Sequence, residues 1–197
     1  RAIAAGYQSV MVDGSRLSLG DNIAATAQAA QLAHAAGIPI EAELGAVMGH
    51  ETSQQSIPYE AIFAGKMGFT DVSEATRFVK ESGCDWLSVA VGSVHGAIAE
   101  NMLDKKKPAA KLDVERIGEL ESALLHGGSG IEQAYIARGI KAGIAKINVG
   151  TELRQPYEAA IKQGLTVEEA QEKVYLRCRE LIRDFLKTAG DAEVLTK

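Results

Sequence analysis

Two histidines, two acidic positions on strand-like runs and two glycine-rich turns are the residues best placed to do chemistry. His95 lies in "VGSVHG" and His126 in "LLHGGSG"; each follows an apolar run and precedes glycine. Neutral imidazole is a common zinc ligand, and catalytic zinc sites take about three protein ligands plus one open position. A lone histidine in such a place reads as a hydrogen-bonded loop residue. Two of them on neighbouring units bring a metal site level with that plainer reading. Glu43 closes "EAEL", with Glu41 two residues earlier on the same strand face. A buried carboxylate is costly unless paired or bound to a cation, so Glu43 either meets a lysine or faces a metal. Asp13 precedes Gly14 at the end of "VMVD", where it caps a turn or lines a site.

"HGGSG" (126–130) and "NVGT" (148–151) add backbone N–H groups and hydroxyls. Glycine-rich turns that feed a helix N-terminus bind phosphate through those donors and the helix dipole. The plainer reading is two tight turns. His34 falls within a helical pattern as a face residue, and His50 within a long insert, where its role stays open. No Ser-His-Asp order, Walker lysine or paired C-x-x-C motif accompanies them.

The elements that must position these residues alternate. Short apolar runs occur at 9–15, 38–45, 86–96, 122–130 and 145–152. Several are rich in Val and Ile, as strands buried on both faces are. Helical patterns lie between them, at 21–37, 71–83, 114–121 and 132–143. Asp21 reads as an N-cap, with Gly37 and Gly83 as stops. The tail, 166–188, opens with Thr166 and Glu169 in capping-box spacing. Strand then helix, repeated, gives βα units on a parallel sheet. Polar residues close every run: Asp13, Glu43, His95, His126 and Asn148. That distribution favours a (β/α)8 barrel, which gathers side chains from several strand ends on one face, over a doubly wound sheet with one switch point.

Five units do not close a barrel of eight, and the chain opens on Arg1 almost directly into a strand. The expectation is therefore a TIM barrel of which this chain carries roughly the last five βα units, with N-terminal sequence absent. Residues 1–197 read as one partial barrel domain, with 166–197 a C-terminal helical tail. Segments 46–70 and 99–113 depart from the alternation, and long inserts in compact domains are often functional.

The composition narrows the class. At 46% hydrophobic and 24% charged the chain suits a globular protein. A formal net charge of −5 argues against broad nucleic-acid binding, and Lys105–Lys107 reads as a solvated loop. No apolar run approaches the roughly 20 residues that span a bilayer, and the start lacks the order of a signal peptide. Cys84 and Cys178 are too few for a disulfide framework, so a cytoplasmic setting is expected.

Taken in order, "SVMVDGS", "EAELGAV", "VGSVHGA", "LLHGGSGI" and "KINVGTELR" resemble the successive strand-end motifs of class II, zinc-dependent ketose-bisphosphate aldolases. That group includes the fructose-1,6-bisphosphate and tagatose-1,6-bisphosphate aldolases. The likeness runs from about residue 6 to residue 155, and "HGGSGI" followed by "NVGTELR" is its most specific part. The resemblance implies a TIM barrel in a homodimer or homotetramer. It implies that His95 and His126 are two of three ligands to a catalytic Zn2+. Glu43 and Asp13 match acidic positions that, in some members, hold a second or displaced metal ion, a divalent or a monovalent cation. Gly96, Gly127, Gly128 and Ser129, with Asn148, Val149, Gly150 and Thr151, match positions that hold the dihydroxyacetone phosphate end of the substrate. Glu51 matches a glutamate proposed as the proton-transferring base.

The implied reaction is reversible cleavage of fructose 1,6-bisphosphate to dihydroxyacetone phosphate and glyceraldehyde 3-phosphate through a zinc-stabilised enediolate. Three departures stand beside it. The family's Asp-His pair, source of the acid and of the first zinc ligand, falls upstream of Arg1. The stretch between "RIGEL" and "LLHGG" is shorter than expected. Gly150 stands where some fructose-bisphosphate members carry aspartate. The alternatives are a tagatose-1,6-bisphosphate or other ketose-phosphate aldolase, a non-catalytic sugar-phosphate binding protein on the same scaffold, and a phosphosugar isomerase.

Overall fold

The computed structural model describes residues 1–46, 59–93, 110–120 and 131–191, with the backbone of 123–125. His50, Glu51, His95, Gly96, Lys105–Lys107, His126, Gly127, Gly128 and Ser129 lie outside the described residues. The chain divides into two compact units, Arg1–Asn148 and Val149–Lys197.

The first unit is built on a parallel sheet. Among the described residues its strands are β1 (Val10–Val12), β2 (Ile40–Leu44), β3 (Trp86–Val89), β4 (Ala123–Leu125) and β5 (Lys146–Ile147), and they lie side by side in chain order. Every pairing is parallel. Sequential order without reversal is the arrangement of a barrel wall, and it removes the switch point that a doubly wound sheet would need. Helices α1 (Leu19–Ala35), α2 (Tyr59–Ala64), α3 (Val72–Ser82), α4 (Val114–Glu119) and α5 (Gln133–Lys141) fill the connections.

The register sorts the side chains. Glu41 pairs with Trp86 and Glu43 with Ser88, so these four share one face of the sheet. Ile40, Ala42, Leu44, Leu87 and Val89 fall on the other, all buried, and α1 packs against β1 and β2 there. One face is thus apolar and covered by helix; the other carries the polar groups.

Helix ends follow local chemistry, with one correction. Ser18, not Asp21, is the N-cap of α1: its hydroxyl accepts from the Asp21 N–H at 3.2 Å. Asp21 sits in the first turn, where its carboxylate accepts from the Ser18 hydroxyl at 2.7 Å and meets the positive end of the helix dipole. Gly37 follows the last turn at φ +70°, as a stop should. Asp71 caps α3 through the N–H groups of Ser73 and Glu74, and Gly83 ends it at φ +67°.

The second unit holds α6 (Thr151–Lys162), α7 (Val167–Glu180) and a π-helical segment, Leu181–Phe185. Thr166 and Glu169 form the expected capping box. Helix α6 lies outside the helical patterns read above, and it holds Pro156, which removes one interior donor. The insert 46–70 is also not loop throughout, since α2 forms within it.

Candidate functional site

Asp13 and Glu43 stand at the C-terminal edge of the sheet. Val12 pairs with Ala42, so Asp13, the next residue, stands at the level of Glu43. Asn148 directly follows β5. The closing residues are not all strand termini. Glu43 lies within β2, one residue before its end, and β3 stops at Val89, well before His95.

Asp13 caps its own turn. One carboxylate oxygen accepts from the Ser15 N–H at 3.1 Å and from the Ser15 hydroxyl at 2.6 Å. Glu41 is nearly fully buried and paired with Lys146, whose Nζ lies 2.5 Å from its carboxylate. The same ammonium stands 5.7 Å from the Trp86 ring centroid, within cation–π range. Lys146 is thus paired with Glu41. Glu43 is buried at 5% exposure, and its backbone carbonyl accepts from Asn22 Nδ2 at 2.9 Å. Asn22, itself 1% exposed, also packs against Gly14; a Cβ there would fall 2.0 Å from Asn22 Oδ1. One α1 side chain thus braces the ends of both β1 and β2.

Two further polar groups lie near this edge. Ser88, opposite Glu43, and Ser93, just past β3, are almost fully buried, and neither hydroxyl has a hydrogen-bond partner among the described residues. A buried hydroxyl without a partner is costly, so a ligand or ion that reaches it gains a ready donor or acceptor. Beyond them, Tyr59 fixes the backbone on both sides of 94–109: its hydroxyl accepts from the Lys111 N–H at 2.6 Å and lies 3.0 Å from the Gly92 carbonyl oxygen. Burial pushes the Tyr59 hydroxyl above its ordinary pKa.

Elsewhere, His34 is committed to a structural contact, its Nε2 lying 2.9 Å from Asp85. That bond and one from the Ile40 N–H hold the Asp85 carboxyl below its ordinary pKa. Both cysteines are free thiols, and burial pushes Cys84 up.

In the second unit Gly150 is the N-cap of α6 and Thr151 its first residue. Gly150 has φ −114°, and a Cβ there would meet nothing within 4 Å. The backbone therefore admits an aspartate at this position.

The described residues alone do not make a metal site: no group of three His, Cys, Asp or Glu side chains among them could hold an ion. Glu43 is a buried carboxylate opposite Ser88 at this edge. Carboxylate and imidazole together are a zinc-type donor set. Sequence reasoning found Glu43 and Asp13 through their strand-end positions. It missed Asn22 and Tyr59, which act through long-range bonds, and Ser88 and Ser93, which stand out by burial without a partner; spacing reveals neither.

The family model for class II fructose-bisphosphate aldolase matches residues 1–193. The chain belongs to this family. It is 38% identical over 185 residues to protein YdjI of Escherichia coli strain K12, covering 92% of this chain and 60% of that one. It is 34% identical over 179 residues to a fructose-bisphosphate aldolase of Streptococcus pyogenes serotype M1, covering 88% and 55%. The crystal structure of the YdjI aldolase from Escherichia coli K12 superposes with a TM-score of 0.71 at 32% identity, covering 93% of this chain and 63% of that one. The chain thus spans about 55–60% of the length of these curated relatives. The fold is that of the class II aldolases, a TIM barrel, and the sequential parallel sheet is part of its wall.

Proposed function

We propose that the full-length protein is a metal-dependent aldehyde-lyase that cleaves fructose 1,6-bisphosphate reversibly. The observation that carries this reading is the buried Glu43 at the C-terminal edge of the parallel sheet, level with Asp13 on the neighbouring β1; in sequence, His126 and Asn148 are the residues that follow β4 and β5. His95 and His126 would hold Zn2+, with Glu43 and Asp13 lining a second or displaced position. Bound there, the ion would supply Lewis acidity at the ketone carbonyl. Glu51 takes the proton from the carbon beside that carbonyl, as a general base within reach of its substrate must. Gly96, Gly127, Gly128 and Ser129 hold the phosphate through backbone N–H groups and a hydroxyl. On the family likeness, Asn148, Val149, Gly150 and Thr151 are further candidates for holding phosphate; Thr151 opens α6, and a helix N-terminus favours an anion.

The second reading is tagatose 1,6-bisphosphate or another ketose phosphate, since Gly150 stands where some fructose-bisphosphate members carry aspartate and so does not single out the fructose sugar. We read 1–197 as one partial barrel domain, the assembly as a homodimer or homotetramer, and the setting as cytoplasmic; no helix among the described residues is long and apolar enough to cross a membrane. The test is His126→Ala in the full-length protein. It abolishes chelator-sensitive turnover and lowers zinc content; near-normal values of both would remove His126 from the metal site.

A further inference from the structure

The end of the β2–β3 ladder is opened by a side chain. Leu44 pairs with Val89, and a parallel ladder continues by joining the carbonyl of one such residue to the N–H one step further along the partner strand. Those groups here are the Leu44 carbonyl and the Ala90 N–H. The Thr70 hydroxyl stands between them: it accepts from Ala90 N–H at 2.8 Å and donates to the Leu44 carbonyl at 2.5 Å. The Thr70 N–H also donates to the Ala90 carbonyl at 2.9 Å, and Ala46 N–H donates to the Gly68 carbonyl at 2.9 Å. Thr70 is 2% exposed. Gly45 has φ +94°, and a Cβ there would fall 2.5 Å from Thr70 Oγ1, so the backbone leaves the hydroxyl its place. Arg116 holds the wedge from behind, donating to the Thr70 carbonyl at 2.7 Å.

We propose that Thr70 is a positioning residue that sets the separation of β2 and β3 at the edge where the chemistry occurs. Its hydroxyl lies beside Leu44, next to Glu43, and beside Ala90, where the chain leaves β3 toward Ser93. The wedge satisfies both strands' polar groups while holding them one hydroxyl apart. That gap fixes where the Glu43 carboxylate and the β3 exit stand relative to each other. The functional half of this inference rests on the aldolase reading given above.

The test compares Thr70→Val, which keeps the shape and removes the hydroxyl, with Thr70→Ser, which keeps the hydroxyl, in the full-length protein. Misplacing reacting groups by about 1 Å costs up to about 100-fold in rate. Thr70→Val is expected to lower kcat about tenfold or more with KM within about twofold, and to speed Ala90 amide exchange. Thr70→Ser restores both. If Thr70→Val does not fold, Thr70→Ala removes the same hydroxyl without placing a methyl between the two polar groups, and the same loss of kcat is expected. Wild-type kcat in a folded variant lacking the hydroxyl, even with a lower Tm, overturns the positioning role. Unchanged Ala90 exchange overturns the wedge itself. A wild-type protein that cleaves no ketose bisphosphate sinks the aldolase reading and with it the catalytic role, while the exchange comparison still decides the wedge.

Discussion

At the residue scale, the carboxylates divide by what stands opposite them. Glu41 meets Lys146, Asp13 closes its own turn, and Asp113 serves two partners. Lys66 Nζ lies 2.8 Å from Asp113, and the Arg116 N–H donates to the same carboxylate at 3.1 Å, capping α4. Burial pushes the Asp113 carboxyl up, but these bonds outweigh it and hold the group below its ordinary value of 3.8. A carboxyl depressed in the folded state stabilises the fold above its unfolded pKa, and that contribution disappears as pH falls through the folded pKa. Asp113→Asn should therefore lower Tm at pH 7, and the gap to wild type should close as pH drops below 3.8. Thermal melts across pH decide it; a gap of constant size would mean that the amide loses only hydrogen-bond geometry, not charge.

At the element scale, helix and strand are joined by a few buried polar side chains. Asn22 donates from α1 to the Glu43 carbonyl and accepts from the Thr26 hydroxyl at 3.3 Å. Asn22→Ala should cost about 1–3 kcal/mol, the usual range for orphaning a buried polar group, measured by denaturant unfolding. A change within about 0.5 kcal/mol, typical of an ordinary surface substitution, would deny it a bracing role. Most of the alternation was legible in the sequence. β2, the end of α3 and the α7 cap fall where the apolar run 38–45, Gly83 and the Thr166–Glu169 spacing place them. Helix α6 lay outside the helical patterns read from the sequence, and α1 begins earlier than Asp21 because Ser18 offers the first side-chain acceptor. Thr70 carried no signal, since its role depends on two strand ends far from it in sequence.

At the scale of the whole molecule, the parallel sheet, in chain order, brings Asp13 and Glu43 to its C-terminal edge and packs β1 and β2 against α1. The strand-end motifs made that edge legible before any coordinates, because a barrel gathers function at strand C-termini. The particular partners were not legible: that Lys146 would pair with Glu41, or that Ser88 would be buried opposite Glu43, follows from register and depth. The central claim concerns the full-length protein, and the most direct measurement is a coupled aldol-cleavage assay with fructose and tagatose 1,6-bisphosphate in parallel, before and after chelation. Cleavage that a chelator abolishes and zinc restores is expected, with the ratio of rates naming the sugar. Absence of cleavage of both sugars with zinc present would contradict the aldolase reading and turn the search toward another phosphosugar.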